Sequence, residues 1–498
     1  MRHPTTPSDL GTASPTATKS PAETPVRRPW VAAVALVVGV AAWVGAIALA
    51  IGVMSFGERI DARLPFDSPL LAGFALAVAV ALPFSLLTWM AWRGHPRADF
   101  ATSVAGAVLI GWIILQVLVI RAYSPFQPLM FLIGVGLVLA SPSGLGQAGR
   151  GVLLVVVGAV TAAVGIGLLP HLIKRGVAGM SLVAVATLLA GTTAIAFGVS
   201  WALRGRHAAV KIAGGALTVA VLAVAASVVS PAVAVTNSPA TDVGATPADV
   251  GLEYETVTVT TSDGVDLAAW YVPGDNGAGV VVMHGAGSTR SAVLDQAAVL
   301  ARGGYAVLLL DARGHGDSDG TAMDFGWYGD ADIAAGTGHL ATRPDIDADR
   351  IGVVGFSMGG EQAIGAAAND PLIAAVVAEG ATGRFADDTS WLSDVYGWRG
   401  AVQERLNAMQ DAVTRYLTDA PTPTALRVAV EQATDTRFLL ITAGKVADEG
   451  HAAGHLRAAA PEGVDVWTVE GAGHTDGYDK TPDEWQRRVL DFLDATLT

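Results

Sequence analysis

Long apolar segments fill the first half of the chain. A helix that crosses the ~30 Å hydrocarbon core of a bilayer needs roughly 20 mostly apolar residues, because each residue adds about 1.5 Å. This pattern predicts an all-α, polytopic membrane domain over residues 29–235. Six segments have the required length and contain no Asp, Glu, Lys or Arg: Trp30–Phe56, Pro69–Trp92, Ala101–Ile120, Gly151–Leu169, Gly176–Leu203 and Ile212–Val235.

A seventh apolar segment, Pro125–Pro142, determines the predicted orientation. It is shorter and contains Gln127 and three prolines, so it is either a tight span or a re-entrant segment. Residues 1–28, rich in Pro, Thr and Ser, predict a disordered cytoplasmic tail. Seven spans place Lys174 and Arg175 on the exported side and keep a larger set of flanking cations in the cytoplasm: Arg93, Arg97, Arg150, Arg204, Arg206 and Lys211. We therefore expect a multi-pass protein of the cell membrane whose C-terminal domain is extracytoplasmic.

The pattern changes after residue 235. Residues 236–250, rich in Pro, Ala, Thr, Asp and Gly, predict a linker, and a soluble domain follows over residues 251–498. Tyr254–Thr260 and Asp266–Val272 alternate as half-buried strands of a hairpin. Further apolar runs, interleaved with helical periods, predict a mostly parallel sheet covered on both faces: Gly279–Met283, Tyr305–Leu310, Arg350–Gly355, Ile373–Ala378, Arg437–Thr442 and Val464–Val469.

Composition excludes several functions for this second half. Of the 31 Lys+Arg and 45 Asp+Glu, 15 and 6 fall before residue 236, which leaves 16 basic and 39 acidic residues after it. So acidic a domain repels phosphate, and nucleic acid is not an expected partner. The chain has no cysteine, which excludes disulfides, zinc–thiolate sites and a cysteine nucleophile. No motif requires a cofactor or a metal.

Ser357 is the predicted nucleophile. It lies in Gly355-Phe356-Ser357-Met358-Gly359, between a predicted strand and a predicted helix. A sharp strand-to-helix turn of this kind exposes the hydroxyl, and its glycines permit close approach of neighbouring backbone. The Met358 N–H at the start of the helix and the Ala286 N–H, in His284-Gly285-Ala286-Gly287-Ser288, are expected to form the oxyanion hole.

His474 is the predicted general base, because it follows the last predicted strand in Gly471-Ala472-Gly473-His474. A carboxylate should orient its imidazole. Asp448, after the strand Arg437–Thr442, is preferred for this role, and Glu449 and Glu379 remain alternatives. His284 and His315 lie in glycine-rich turns and are interpreted as structural.

Several of these motifs together resemble a known superfamily. Val281–Ser318, which contains Asp311-Ala312-Arg313-Gly314-His315-Gly316-Asp317-Ser318, Gly355–Gly360 and Gly471–His474 are similar in sequence and order to the α/β hydrolases. The resemblance is closest to bacterial serine hydrolases described as esterases or S9/S33-type peptidase relatives, some of them membrane-anchored. It implies an α/β-hydrolase fold with a small helical cap, here at about residues 382–436.

Three functions are consistent with this pattern. We expect a membrane-anchored serine hydrolase that cleaves a carboxylic ester, thioester or amide of a small-molecule or lipid acyl substrate through an acyl-enzyme. An acyltransferase of the same fold would resolve the acyl-enzyme with an alcohol instead of water. A transporter or sensor would use the second half only as a binding module, but spans almost free of charge and the presence of both Ser357 and His474 argue against it.

Overall fold

The computed structural model describes residues 27–54, 58–61, 63–120, 123–177, 179–320 and 324–497. Nearly all of the predicted N-terminal tail, residues 1–26, lies outside these ranges. By its internal contacts the chain divides into two compact units. Among the described residues, the first unit consists of helices, and the second contains further apolar helices together with the C-terminal sheet and its helices.

The first unit consists of apolar helices. Its elements are α1 (Pro29–Ala50), α2 (Glu58–Asp61), α3 (Pro69–Leu76), α4 (Leu82–Arg93), α5 (Ala98–Ile120) and α6 (Phe126–Ala140). A π-helical turn, Ala77–Ala81, joins α3 to α4, so that Pro69–Arg93 forms one continuous apolar helix. Helix α6 packs against α5, where a methyl group on Gly134 would lie 2.9 Å from the carbonyl oxygen of Gly106.

Helix α6 is continuous, but it is shorter than the helical segments of membrane-spanning length. Its 15 residues give a length of about 22 Å, less than the ~30 Å hydrocarbon thickness. In the part of the chain that the structure describes, six other helical segments are long and apolar enough to cross a membrane. The predicted crossing by Pro125–Pro142 stays a prediction.

The second unit begins with α7 (Gln147–Gly167), α8 (Leu169–Arg175), α9 (Met180–Leu203) and α10 (Ala208–Thr236). Helices α7 and α9 pack through glycines, and a methyl group on Gly158 would lie 2.7 Å from the carbonyl oxygen of Gly191. Small residues allow membrane helices to approach this closely. Helix α10 packs on α7, where Ser230 Oγ donates to the carbonyl of Ala163 at 2.8 Å.

An eight-stranded sheet organises the rest of this unit. Its strands are β1 (Glu255–Thr260), β2 (Asp266–Val272), β3 (Gly279–Met283), β4 (Ala306–Leu310), β5 (Ile351–Phe356), β6 (Ile373–Glu379), β7 (Arg437–Ala443) and β8 (Val464–Val469). The spatial order is β1-β2-β4-β3-β5-β6-β7-β8, and β2 is antiparallel to both of its neighbours while the other pairs are parallel.

Helices cover both faces of the sheet. The helices that follow β3 in the chain are α11 (Leu294–Arg302), α12 (Gly329–Ala341), α13 (Met358–Ala366), α14 (Leu392–Tyr396), α15 (Trp398–Leu417), α16 (Leu426–Gln432), α17 (Ala447–Ala459), α18 (Gly477–Lys480) and α19 (Pro482–Leu497), of which α14 and α15 belong to an insertion. Every residue of β3, β4 and β5 is buried, and two hydrophobic clusters lie on the two faces. Such continuous apolar strands are typical of a doubly covered parallel sheet. The predicted fold class is confirmed.

The insertion between β6 and β7 holds α14, α15 and α16. Helix α15 packs along α10, and its Leu417 contacts a small apolar cluster with Leu168, Ala184 and Val233. The insertion is also attached to the sheet domain, because Trp327 Nε1 donates to the carbonyl of Arg384 at 3.0 Å. The membrane-type helices of this unit and the insertion therefore pack directly against each other.

Candidate active site

Ser357 occupies a strained turn between β5 and α13. Its φ of 52° and ψ of −119° lie in a region that non-glycine residues adopt at a cost of about 1–3 kcal/mol. Its N–H donates to the carbonyl of Glu379 at 2.7 Å, which ties the turn to β6. A methyl group on Gly359 would lie 2.6 Å from the carbonyl oxygens of Met283 and His284, so only glycine lets α13 start this close to β3.

His474 lies on the loop after β8 and faces the serine. Its Nε2 is 2.8 Å from Ser357 Oγ, and its Nδ1 is 2.7 Å from Glu449 Oε1. A proton on Nδ1, donated to the carboxylate, leaves Nε2 free to accept the proton of the serine. The hydrogen bond with Glu449 raises the pKa of His474, although partial burial opposes this shift. The imidazole side chain is 48% exposed, so a substrate has access to it.

The preference for Asp448 as the acid is contradicted by this geometry. Glu449 is buried, and its Oε2 also accepts from the N–H of Ala443 at 2.7 Å. Asp448 instead accepts from the Tyr396 hydroxyl of the insertion at 2.5 Å. Consecutive residues of a helix point about 100° apart, so the start of α17 at Ala447 determines which of the two carboxylates turns inward.

Glu379 supports the loop that carries His474. Its carboxylate accepts from the N–H of Gly477 at 2.8 Å and from Trp485 Nε1 at 2.9 Å, and burial raises its pKa. Both nitrogens of His474 are engaged by Ser357 and Glu449. Glu379 therefore fixes the backbone that carries His474 and does not hydrogen-bond to the imidazole.

The two expected oxyanion donors lie on segments that border the serine. Met358 is the first residue of α13, so its N–H has no acceptor within the helix. The segment 284–288 passes close to the nucleophile, since a methyl group on Gly285 would lie 3.3 Å from Ser357 Cβ. We refer to this segment as the oxyanion loop. The roles of Met358 and Ala286 as donors stay predictions.

His284 and His315 are buried and hold loops in place. His284 Nε2 accepts from the N–H of Ala312 at 3.1 Å, and burial lowers its pKa to about 3. His315 Nε2 accepts from the N–H of Gly287 at 3.1 Å, and burial lowers its pKa as well. Both imidazoles are therefore neutral acceptors, as a structural role requires. Within the described ranges no group of three or more His, Asp or Glu is placed to hold a metal ion.

Glu361 is a buried acid near the site that sequence reasoning missed. It lies on α13 one helical turn after Ser357, and its Oε1 accepts from the N–H groups of Thr382 and Gly383 at 3.0 and 2.8 Å. Burial raises its pKa to about 7, and its negative charge raises the pKa of His474. The spacing of four residues from the nucleophile, which places both on one helix face, was the available signal.

The sheet, the strained serine turn and the imidazole after the last strand give the C-terminal domain an α/β-hydrolase fold. The resemblance inferred from the motifs is confirmed. Residues 274–430 match the family described as "Serine aminopeptidase, S33". The matched range includes the oxyanion loop, Ser357 and most of the insertion, and it ends within α16.

Individual relatives match over shorter stretches. An uncharacterized protein of Mycobacterium tuberculosis is 36% identical over 124 residues, which are 24% of this chain and 43% of the relative. Thiohydrolase aneE of Aspergillus aculeatus is 32% identical over 133 residues, 25% of this chain and 40% of the relative. The chain therefore spans less than half the length of these curated relatives. The structure of an esterase of Pyrococcus furiosus, Pf2001, aligns with 53% of this chain and 100% of its own at 25% identity and a TM-score of 0.42.

Proposed function

We propose that the hydrolase domain cleaves a carboxylic ester, thioester or amide through an acyl-enzyme formed on Ser357. The observation that carries this proposal is the chain of hydrogen bonds from Ser357 Oγ to His474 Nε2, at 2.8 Å, and from His474 Nδ1 to Glu449 Oε1, at 2.7 Å. A nucleophile, a base and an orienting carboxylate in hydrogen-bond reach are the requirements for acyl transfer to a serine.

Under this proposal each group has a step in the reaction. His474 Nε2 takes the Ser357 proton as Oγ bonds to the acyl carbon, and Glu449 stabilises the imidazolium that forms. The Met358 and Ala286 N–H groups stabilise the oxyanion, a contribution of about 10² to 10³ in rate per donor. His474 then protonates the leaving alcohol, thiol or amine. In the second half, His474 deprotonates a water that attacks the acyl carbon, and the carboxylic acid and free Ser357 are released.

The exposed aromatic side chains of the insertion support an acyl substrate. Trp327 and Trp391 are buried and pack the insertion onto the domain, so they do not line a binding surface. Tyr396 and Trp398, 40% and 75% exposed, lie on the insertion and offer contact to an apolar group. The name of the Aspergillus relative, a thiohydrolase, supports thioesters among the candidates. We infer a small-molecule or lipid acyl substrate.

We further propose that the apolar helices anchor the enzyme in the cell membrane with the hydrolase domain outside the cytoplasm. Helix α8 ends beside residues 237–242, so that Lys174, Arg175 and the hydrolase domain share one side. The connection between α9 and α10 lies at the other end of these helices and therefore on the opposite side of the membrane. It carries Arg204 and Arg206, and Lys211 follows in the first turn of α10. The positive-inside rule favours the cytoplasm for these three cations. This argument does not depend on whether α6 crosses the membrane.

An impermeant fluorophosphonate probe tests the nucleophile and its location together. We expect the probe to label the wild-type protein on intact cells, and Ser357→Ala to abolish both labelling and ester turnover while the amount of membrane-inserted protein is unchanged. A permeant probe applied to lysate serves as the control for total active enzyme. Undiminished labelling of Ser357→Ala would overturn the assignment of the nucleophile. Labelling confined to lysate would overturn the proposed location.

A further inference from the structure

The end of helix α8 contacts the oxyanion loop of the hydrolase domain. Lys174 Nζ donates to the carbonyl of Gly287 at 3.2 Å and to Thr241 Oγ1 at 2.7 Å. Thr241 Oγ1 in turn donates to the same carbonyl at 2.6 Å. One carbonyl of the oxyanion loop is thus held by a membrane-type helix and by the linker that follows α10.

The linker has little freedom at this point, because α8 also holds the residues around Thr241. His171 Nε2 is 2.6 Å from the carbonyl oxygen of Asn237. Arg175 donates to the carbonyl of Ala240 at 3.0 Å and to the Asp242 carboxylate at 3.2 Å. Both neighbours of Thr241 in sequence are therefore bound to the same helix, and its hydroxyl is held in place against the loop.

The opposite side of Gly287 is fixed from within the hydrolase domain. Its N–H donates to the buried His315 at 3.1 Å. Its φ of 68° lies in the left-handed region, which glycine adopts without strain but with a large loss of backbone freedom. Hydrogen bonds on both its N–H and its carbonyl restrict this most flexible residue of the loop. Ala286, the expected oxyanion donor, is the residue immediately before it.

We propose that Lys174 and Thr241 are positioning residues that keep the Ala286 N–H aimed at the oxyanion. Helix α8 and the linker are then part of the catalytic apparatus. This inference rests on the proposed function of Ser357. A donor helps only if its orientation is fixed before charge develops on the substrate oxygen. Loss of the outer hydrogen bonds removes both donors from the Gly287 carbonyl, so that this residue is held only through its N–H bond to His315. The catalytic rate should then fall while ground-state binding of the substrate is retained.

The test uses the full-length protein in detergent micelles and a short p-nitrophenyl ester. Lys174→Met and Thr241→Val remove the two donors with little change in shape, and Thr241→Ser keeps the hydroxyl. Lys211→Met is the matched control, because it removes a cation from the first turn of α10, at the end of that helix opposite to the linker. The concentration of active sites is titrated with a fluorophosphonate taken to completion, so that kcat refers to folded enzyme alone.

We expect kcat per titrated site to fall about 10-fold or more in Lys174→Met and Thr241→Val, with KM nearly unchanged. The rate of fluorophosphonate labelling should fall in parallel, because negative charge also develops on an oxygen in that reaction. Thr241→Ser should restore most of kcat. A merely structural role would lower the number of titrated sites and leave kcat per site at the wild-type value, and that result would overturn this inference alone. A wild-type protein with neither turnover nor labelling would overturn the proposed function and this inference together.

Discussion

Replacement of Glu449 by glutamine gives the sharpest test of the catalytic geometry. The carboxylate accepts two hydrogen bonds, one from the Ala443 N–H at 2.7 Å and one from His474 Nδ1 at 2.7 Å. A glutamine amide has only one acceptor oxygen. If that oxygen stays on the Ala443 N–H, the amide NH₂ faces Nδ1 and forces it to act as an acceptor. The imidazole proton then moves to Nε2, which can no longer accept the serine proton.

The expected loss in Glu449→Gln is large because the wrong tautomer is stabilised. A comparable loss of the orienting carboxylate costs about 10⁴ in kcat, or about 5 kcal/mol of transition-state stabilisation. The matched control is Asp448→Asn, one residue away, which alters only the hydrogen bond from Tyr396 and should retain kcat within about 10-fold of wild type. Single-turnover ester hydrolysis with titrated enzyme separates the two variants.

The pH profile supplies a second readout of the same variant. Base catalysis requires neutral His474, so activity is lost as pH falls through the pKa of this residue. The hydrogen bond with Glu449 and the nearby negative charges raise this pKa. Glu449→Gln should therefore move the acidic limb of kcat/KM to lower pH while it lowers the plateau. A larger loss in Asp448→Asn than in Glu449→Gln, or an unchanged acidic limb in Glu449→Gln, would refute the assignment of the acid.

Two further predictions concern the insertion and the orientation. Tyr396→Phe removes the hydrogen bond to Asp448 that attaches the insertion to α17. The KM for a long acyl ester should therefore rise by about 10-fold or less, while kcat for a short ester is retained. Equal effects on both esters would show that the insertion does not contact the acyl chain. A reporter fused after residue 498 should behave as exported, with active alkaline phosphatase and dark green fluorescent protein; the reverse result would place the enzyme in the cytoplasm and its substrates among intracellular acyl compounds.

Local pattern was sufficient to predict the strands and the serine turn. The central strands are unbroken apolar runs because both faces of a parallel sheet are buried, and this signal needs no knowledge of distant residues. The glycines around Ser357 are required by contacts within the same turn and the adjacent β3. Strand bounds differ by a residue or so from the predicted ones; β5, for example, is Ile351–Phe356 and was predicted at Arg350–Gly355.

The acid was not predictable by the same means. Asp448 and Glu449 are adjacent and chemically equivalent, and the choice depends on the rotational phase of α17, which is determined by the turn that precedes Ala447. Burial of Glu449 and exposure of Asp448 to the hydroxyl of Tyr396 are consequences of tertiary packing. The hydrophobic pattern of so short a helix does not show which of the two residues faces inward, because a helix boundary is uncertain by one or two residues.

The contact between α8 and the oxyanion loop explains an irregularity in the charge pattern. Lys174 and Arg175 are adjacent cations that the proposed seven-span arrangement places on the exported side, against the general preference for the cytoplasm. Each has a partner there: Arg175 pairs with Asp242, and Lys174 donates to Thr241 and Gly287. Arg204, Arg206 and Lys211, at the other end of α9 and α10, make no comparable contact with the hydrolase domain in the described part of the chain. Lys174 thus contacts the loop beside the nucleophile, and Arg175 contacts the linker next to it. On this reasoning, the residues that disagree with a topology rule are the ones to examine for a role in catalysis.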